Sequence, residues 1–282
     1  MKKTLILVLF SIISIFCLYF LFYEKRDNNI LEIYIFNLKS GNSVFVRTPK
    51  DHRLIFGTGS SQEILRYVTS ILPFYNMSID TAIVQDLNDK NNILFSELFE
   101  RFKIKNLVLP QIYSKQFDIS SSSIIFNILD KYFKNKDTFI KYVKSNDEIY
   151  KEEDMVISAL FPTVLDDFKY SKSSPPNISW KIEYGNTAMF FLGKSTKKIQ
   201  KYIASNIATS TRDNNTLITY TNDKITSISR EFIEKMNINS MVYSGKIDQS
   251  EKNFIFDTYN IREYKYIKIN TDGYKINVEG IR

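Results

Sequence analysis

The chain has 282 residues, a formal net charge of +7, and a composition that is 44% hydrophobic and 15% aromatic, which excludes an intrinsically disordered polypeptide and leaves apolar mass for one large core or two modest ones. Its single cysteine, Cys17, lies in the N-terminal apolar run, so the rest of the chain can hold no disulfide, thiolate metal site or cysteine nucleophile, and the lack of thiols there suits an oxidising exterior. The positive balance admits attraction to nucleic acid or an anionic surface, although Lys, Asn, Ile, Tyr and Phe are abundant together, as in an AT-rich coding sequence, so part of the lysine excess has a compositional origin.

Residues 1–3 carry Lys2 and Lys3, and the uncharged run from Thr4 to Tyr23 that follows is long enough to cross a hydrocarbon core of about 30 Å. Bulky Tyr19, Phe20, Leu21, Phe22 and Tyr23 reach the charged flank at Glu24 with no small-residue cleavage site, so the run reads as a retained signal anchor and not as a cleaved peptide. Phe16 before Cys17 argues against lipid attachment. The lysine pair and the terminal amine place residues 1–3 in the cytoplasm and everything after Tyr23 outside, making a single-pass protein of the cell membrane. Residues 24–30 are a short linker, and residues 31–282 read as one domain held close to the bilayer.

Leu31, Ile33 and Ile35 alternate with Glu32, Tyr34 and Phe36, and Val44 and Val46 with Phe45 and Arg47, which predicts a hairpin around Lys39–Asn42. His52, the one histidine, sits in the polar turn Pro49–Arg53 and reads as a surface residue. A strand from Leu54 ends in Gly57-Thr-Gly59. Ser60 and Glu63 then make a capping box for a helix carrying Ile64, Leu65, Val68, Ile71 and Leu72 up to Pro73. A strand over Ile79–Val84 opens into a polar loop, Gln85 to Asn91, feeding a helix from Asn92 to Phe102, and Lys105–Pro110 is a further strand. Ser120–Lys134 predicts a helix and Thr138–Val143 a strand, an alternation that indicates an α/β domain. Asp154–Pro162 reads as a strand, Asn177–Lys194 as a hairpin, Ser195–Ala204 as a helix, Thr216–Tyr220 as a strand ending at Thr221, Thr226–Met236 as a helix, Ser240–Tyr243 as a strand, and Tyr264–Val278 as a hairpin turning at Asp272-Gly273.

The order of these pieces resembles the metallo-β-lactamase-like domain of the competence protein ComEC over roughly residues 31–280. There, two strands with Gly-rich turns and a Leu-Pro segment (here Leu72-Pro73) precede a His-x-His-x-Asp-His metal loop. The resemblance implies a four-layer αββα sandwich and a dinuclear metal site, and it assigns the ligand positions to Asp86, Asn88, Lys90 and Asn91, the metal-bridging Asp to Lys194, and the last ligands to Thr221 and Asn222 beside Asp223. The Asp heading the Gly-rich turn is replaced by Phe56, and the hairpin Asp by Asn42.

Zinc is held by His, Cys or carboxylates. At the aligned positions only Asp86, Asp223 and Asp89 could ligate, while Lys90 and Lys194 would repel a dication by several kcal/mol at an effective dielectric near 20. The expectation is therefore a catalytically inactive chain without zinc. Lys194, Lys197, Lys198 and Lys201 follow at helical spacing and read either as a solvated helix face or as a phosphate-binding stripe at the former metal site. No Gly-x-Ser-x-Gly elbow, P-loop or dinucleotide fingerprint is present. Two functions stay open: a non-catalytic binding or assembly module, with DNA or an active ComEC-like protein as partner, and a divergent metal-dependent hydrolase or nuclease with an atypical metal site.

Overall fold

The computed structural model describes residues 9–17, 19, 29–38, 41–59, 61–73, 76–85, 98, 100–111, 138–163, 177–193, 195–207, 212–226, 228–247 and 257–282. Their strands form two sheets. The first contains β1 (Leu31–Phe36), β2 (Gly41–Arg47), β3 (Arg53–Gly59), β4 (Ser78–Val84), β5 (Lys103–Pro110), β6 (Phe139–Val143), β14 (Tyr266–Thr271) and β15 (Ile276–Ile281), in the order β15-β14-β1-β2-β3-β4-β5-β6. The second contains β7 (Glu148–Glu152), β8 (Met155–Phe161), β9 (Ser179–Tyr184), β10 (Thr187–Gly193), β11 (Asn214–Thr226), β12 (Ser240–Ile247) and β13 (Asp257–Asn260), in reverse chain order.

Strand alternation divides the apolar residues between layers. In β1 and β2, Ile33 faces Val46 and Ile35 faces Val44 across the antiparallel ladder, and all four point between the sheets. There they meet Ile157, Ile182, Met189, Ile218 and Val242 of the second sheet. The alternate residues Phe36, Phe45 and Ile55 point outward and are covered by Ile64, Leu65 and Val68 of helix α1 (Ser61–Ile71). On the far side, Ile203 and Ala204 of α2 (Lys197–Asn206) and Phe232 and Ile233 of α3 (Arg230–Lys235) cover Phe190, Leu192 and Leu217. The result is a mixed α/β sandwich with helices on both outer faces, as expected.

Several boundaries differ from the sequence expectation. The strands β7 and β13 carry no clear alternation and do not stand out in the sequence; they are edge strands, defined by ladders to β8 and β12. The strand expected to end at Thr221 continues to Thr226. Its parallel pairing with β12 slips between Tyr220 and Ile225 and then resumes with Ile225 opposite Lys246, so the turn-like Thr221–Lys224 segment is absorbed as an irregularity within the strand. The helix expected over Thr226–Met236 is correspondingly confined to Arg230–Lys235. The helix expected over Ser120–Lys134 lies outside the described residues. In the N-terminal run, residues 9–17 are helical, and Leu9, Phe10, Ile12, Ile13, Ile15 and Phe16 are all exposed. Among the described residues no helix is long and apolar enough to cross a membrane; Thr4–Val8, Leu18 and Phe20–Tyr23 lie outside them.

Candidate functional site

The strands β3, β4 and β10 end together at one edge of the sandwich. The two sheets are stitched there by the Gln85 carbonyl, which accepts from the Ile178 N–H at 2.7 Å, while Gln85 Nε2 lies 3.5 Å from the Ile178 carbonyl. Gly193, closing β10, has φ +59°, and a Cβ built on it would stand 2.8 Å from Asn177 Nδ2 and 2.9 Å from Gln85 Nε2. The left-handed backbone favours glycine, and any side chain there would have to displace those two amides. Among the described residues, buried Asn177 Oδ1 and Ser195 Oγ have no hydrogen-bond partner there.

Just inside this edge, three rings from three strands form a stack. Phe56 of β3 lies 3.5 Å from Trp180 of β9, with an interplanar angle of 9°, and Trp180 lies 3.6 Å from Phe191 of β10 at 5°. Trp180 and Phe191 are ladder partners in one sheet, and Phe56 closes on them from the other. All three are buried, and among the described residues the Trp180 indole N–H has no hydrogen-bond partner, so the stack is held by apolar contact.

Of the residues singled out in the sequence, Asp86, Asn88, Asp89, Lys90, Asn91 and Lys194 lie outside the described residues. Thr221, Asn222 and Asp223 fall in the irregular stretch of β11, and only their backbone is described. Lys197, Lys198 and Lys201 are exposed on α2, whose Thr196 N-cap accepts from the Ile199 N–H at 3.3 Å. The helix is pinned from within by buried Gln200: its Oε1 accepts from the Ser229 N–H at 2.7 Å, and its Nε2 donates to the Ser195 carbonyl at 3.3 Å. Gln85 and Gly193 flank expected ligand positions, but sequence reasoning gave neither a role. Their adjacency arises only when the two sheets meet.

The donor set described at this edge consists of the amides of Gln85 and Asn177 and the hydroxyl of Ser195, beside Phe56 and Gly193. Among these described groups there is no imidazole, thiolate or carboxylate; Asp86 and Asp89 and the side chain of Asp223 lie outside the described residues.

His52 is not a surface turn residue. It lies at the opposite end of the sandwich, with its ring stacked on Tyr150 of β7 at 4.2 Å, Nε2 3.0 Å from Thr81 Oγ1, and Nδ1 3.9 Å from Asp80 Oδ2. Burial pushes its pKa down, an effect only partly offset by Asp80. Burial would raise the Asp80 acid, but the Lys105 ammonium at 2.5 Å and the Arg53 N–H at 3.0 Å outweigh it and hold the carboxyl below its usual range.

No protein-family model and no curated protein matches the sequence. Solved structures do resemble the fold. A long-form RNase Z from yeast is 8% identical with a TM-score of 0.51; the match covers 90% of this chain and 50% of the yeast chain, so this chain spans half the length of that enzyme. Zn²⁺-bound PqqB from Methylobacterium extorquens is 10% identical with a TM-score of 0.47, covering 81% of this chain and 97% of that one. Tm1679, a metal-dependent hydrolase of the β-lactamase superfamily, is 11% identical with a TM-score of 0.48, covering 82% and 95%. At such identities the likeness is one of architecture, and the match to the yeast enzyme is one of fold alone: the two-sheet α/β sandwich is consistent with the metallo-β-lactamase fold.

Proposed function

We propose that this chain is a membrane-anchored, non-catalytic binding module of ComEC type, which contacts the phosphate backbone of DNA at the edge where the catalytic domains it resembles hold metal. The anchor is Thr4–Tyr23, the domain lies outside the cell membrane, and an active ComEC-like protein is the candidate protein partner. The observation that carries the reading is the Phe56–Trp180–Phe191 stack, which fills the interior beneath the edge with hydrocarbon where a hydrolase of this resemblance needs a carboxylate. The amides of Gln85 and Asn177 and the exposed Lys197, Lys198 and Lys201 supply hydrogen bonds and positive charge suited to phosphate oxygens. The exposed apolar side chains of residues 9–17 support the anchor.

The test uses the full chain in detergent micelles. A DNA duplex is expected to shift in mobility at low salt, and the shift to weaken as salt rises. Replacing Lys197, Lys198 and Lys201 together with Gln should flatten the logarithmic salt dependence by roughly 2 to 3, at about 0.9 for each phosphate no longer neutralised. Elemental analysis should find no stoichiometric transition metal, and added Mn²⁺ or Zn²⁺ should yield no DNA cleavage. Absence of any shift at low salt removes DNA as the ligand. Bound metal together with cleavage would establish a divergent hydrolase instead.

A further inference from the structure

Away from the Gln85–Gly193 edge, at the end of the sandwich where β3 begins, the β2–β3, β7–β8, β9–β10 and β14–β15 turns surround a cleft of about 840 Å³. Its charged lining is unbalanced, with Asp51, Glu152, Glu153, Asp154 and Asp272 set against Arg47 and Lys50. Both cations are already engaged. Arg47 Nε lies 2.5 Å from Asp51, and Lys50 Nζ lies 2.6 Å from Glu153. Arg212 reaches the neighbouring Gly185 carbonyl, and even with its charge included the acids prevail.

Three carboxylates remain. Glu152 is only 8% exposed. It accepts from Thr48 Oγ1 at 2.7 Å, Tyr150 Oη at 2.7 Å and the Lys50 backbone N–H at 2.9 Å, all neutral donors, and among the described residues no ammonium or guanidinium lies within ion-pair distance of it. A buried carboxylate solvated only by neutral dipoles keeps its field, and a cation at the cleft wall is the complement that field favours. Asp272 is fixed by the N–H groups of Tyr274 and Lys275 at 2.9 and 3.0 Å, which hold it below the usual carboxylate range. Asp154 is exposed at the rim. Two aromatic rings complete the walls: Tyr184, whose hydroxyl donates to the Asn29 carbonyl at 2.7 Å, and Tyr274, which is 68% exposed. Carboxylates beside an exposed tyrosine ring such as Tyr274 are what a guanidinium or ammonium group takes.

We propose that this cleft is a docking site for a basic peptide segment of a partner protein, whose Arg or Lys side chain is received by Glu152, Asp154 and Asp272 and by the Tyr184 and Tyr274 rings. Charge complementarity selects that occupant. On a chain of net charge +7, a basic segment is repelled over most of the surface and steered to the acidic cleft. The proposal does not depend on DNA binding at the opposite edge.

The experiment measures fluorescence anisotropy of a short arginine-rich peptide, and of its glutamate-substituted counterpart, with the full chain in detergent. The arginine peptide should bind at low salt and weaken as salt rises, and the acidic one should not bind. The double variant D154N/D272N keeps the Asp272 acceptor for the turn while removing two charges; it should bind at least about tenfold more weakly with an unchanged melting temperature. Tyr274→Ala, at an exposed position, should weaken binding as well. Failure of the arginine peptide to bind at low salt overturns the proposal, as does equal binding by the double variant. So does spermidine or Ca²⁺ binding as tightly as the peptide, which would make the ligand a small cation.

Discussion

At the scale of single residues, His52 shows how burial turns a titratable group into a sensor of folding. Its imidazole is held below the ordinary value of 6.5 by desolvation, with Asp80 opposing and Lys105 assisting. Because the folded-state pKa is the lower one, the unfolded chain binds the proton more readily just below pH 6.5. The stability His52 contributes is therefore complete above that point and is lost as pH falls through the folded-state value. The urea midpoint should drop between about pH 7.5 and 5.5, and His52→Gln should flatten that slope; a parent midpoint that stays constant would contradict the account. Asp51 and Asp80, both held below 3.8, act lower on the scale, losing their contribution only below about pH 4. None of this was legible in the sequence. A lone histidine in a polar turn looks solvated, and the ring that covers it, Tyr150, arrives from β7, a strand with little alternation of its own.

At the scale of elements, the aromatic stack decides what the inter-sheet layer can be. Phe56 contributes a fully buried ring to it, so Phe56→Ala should cost about 3–5 kcal/mol in a denaturant titration. Phe56→Asp, which would bury a carboxylate in this layer, should cost at least as much, since the charge would face Trp180 with no partner, and should not raise bound zinc. A stable Asp variant that takes up metal would sink this reading. The strands that build this layer were readable because their two faces differ: Ile33 and Ile35 point in while Phe36 points out, a period that propensity and pattern report directly. β11 was misjudged for the opposite reason. Thr221, Asn222, Asp223 and Lys224 carry turn chemistry, but the ladder to β12 on the far side of the slip carries the strand through them. The convergence of Gln85, Asn177 and Gly193 was hidden too, because it depends on two sheets meeting and no local pattern encodes that.

At the scale of the whole molecule, the order of elements was the legible part. Strand, helix and hairpin signals indicated an α/β domain, the resemblance implied two sheets with helices outside, and the sandwich has that form. The first sheet is completed by joining the two ends of the domain. β1 pairs with β14 from Leu31 opposite Thr271 to Phe36 opposite Tyr266, and Ile267 and Ile269 fill the core beside Ile33 and Ile35. Deleting residues 266–282 removes those side chains along with the ladder. The shortened chain should show no cooperative melting transition and should bind a hydrophobic dye; a sharp transition would mean the remaining strands suffice.

That pairing also governs how the protein comes into being. Among the described strands β1 is made first and its neighbour β14 after all but one of the others, so the sandwich cannot shut until β14 has been made. Throughout that interval the open rim of Leu31–Phe36 offers its amides to any passing strand, which makes a chaperone that covers exposed strand edges, and not the ribosome's own pace, the natural guardian of its yield.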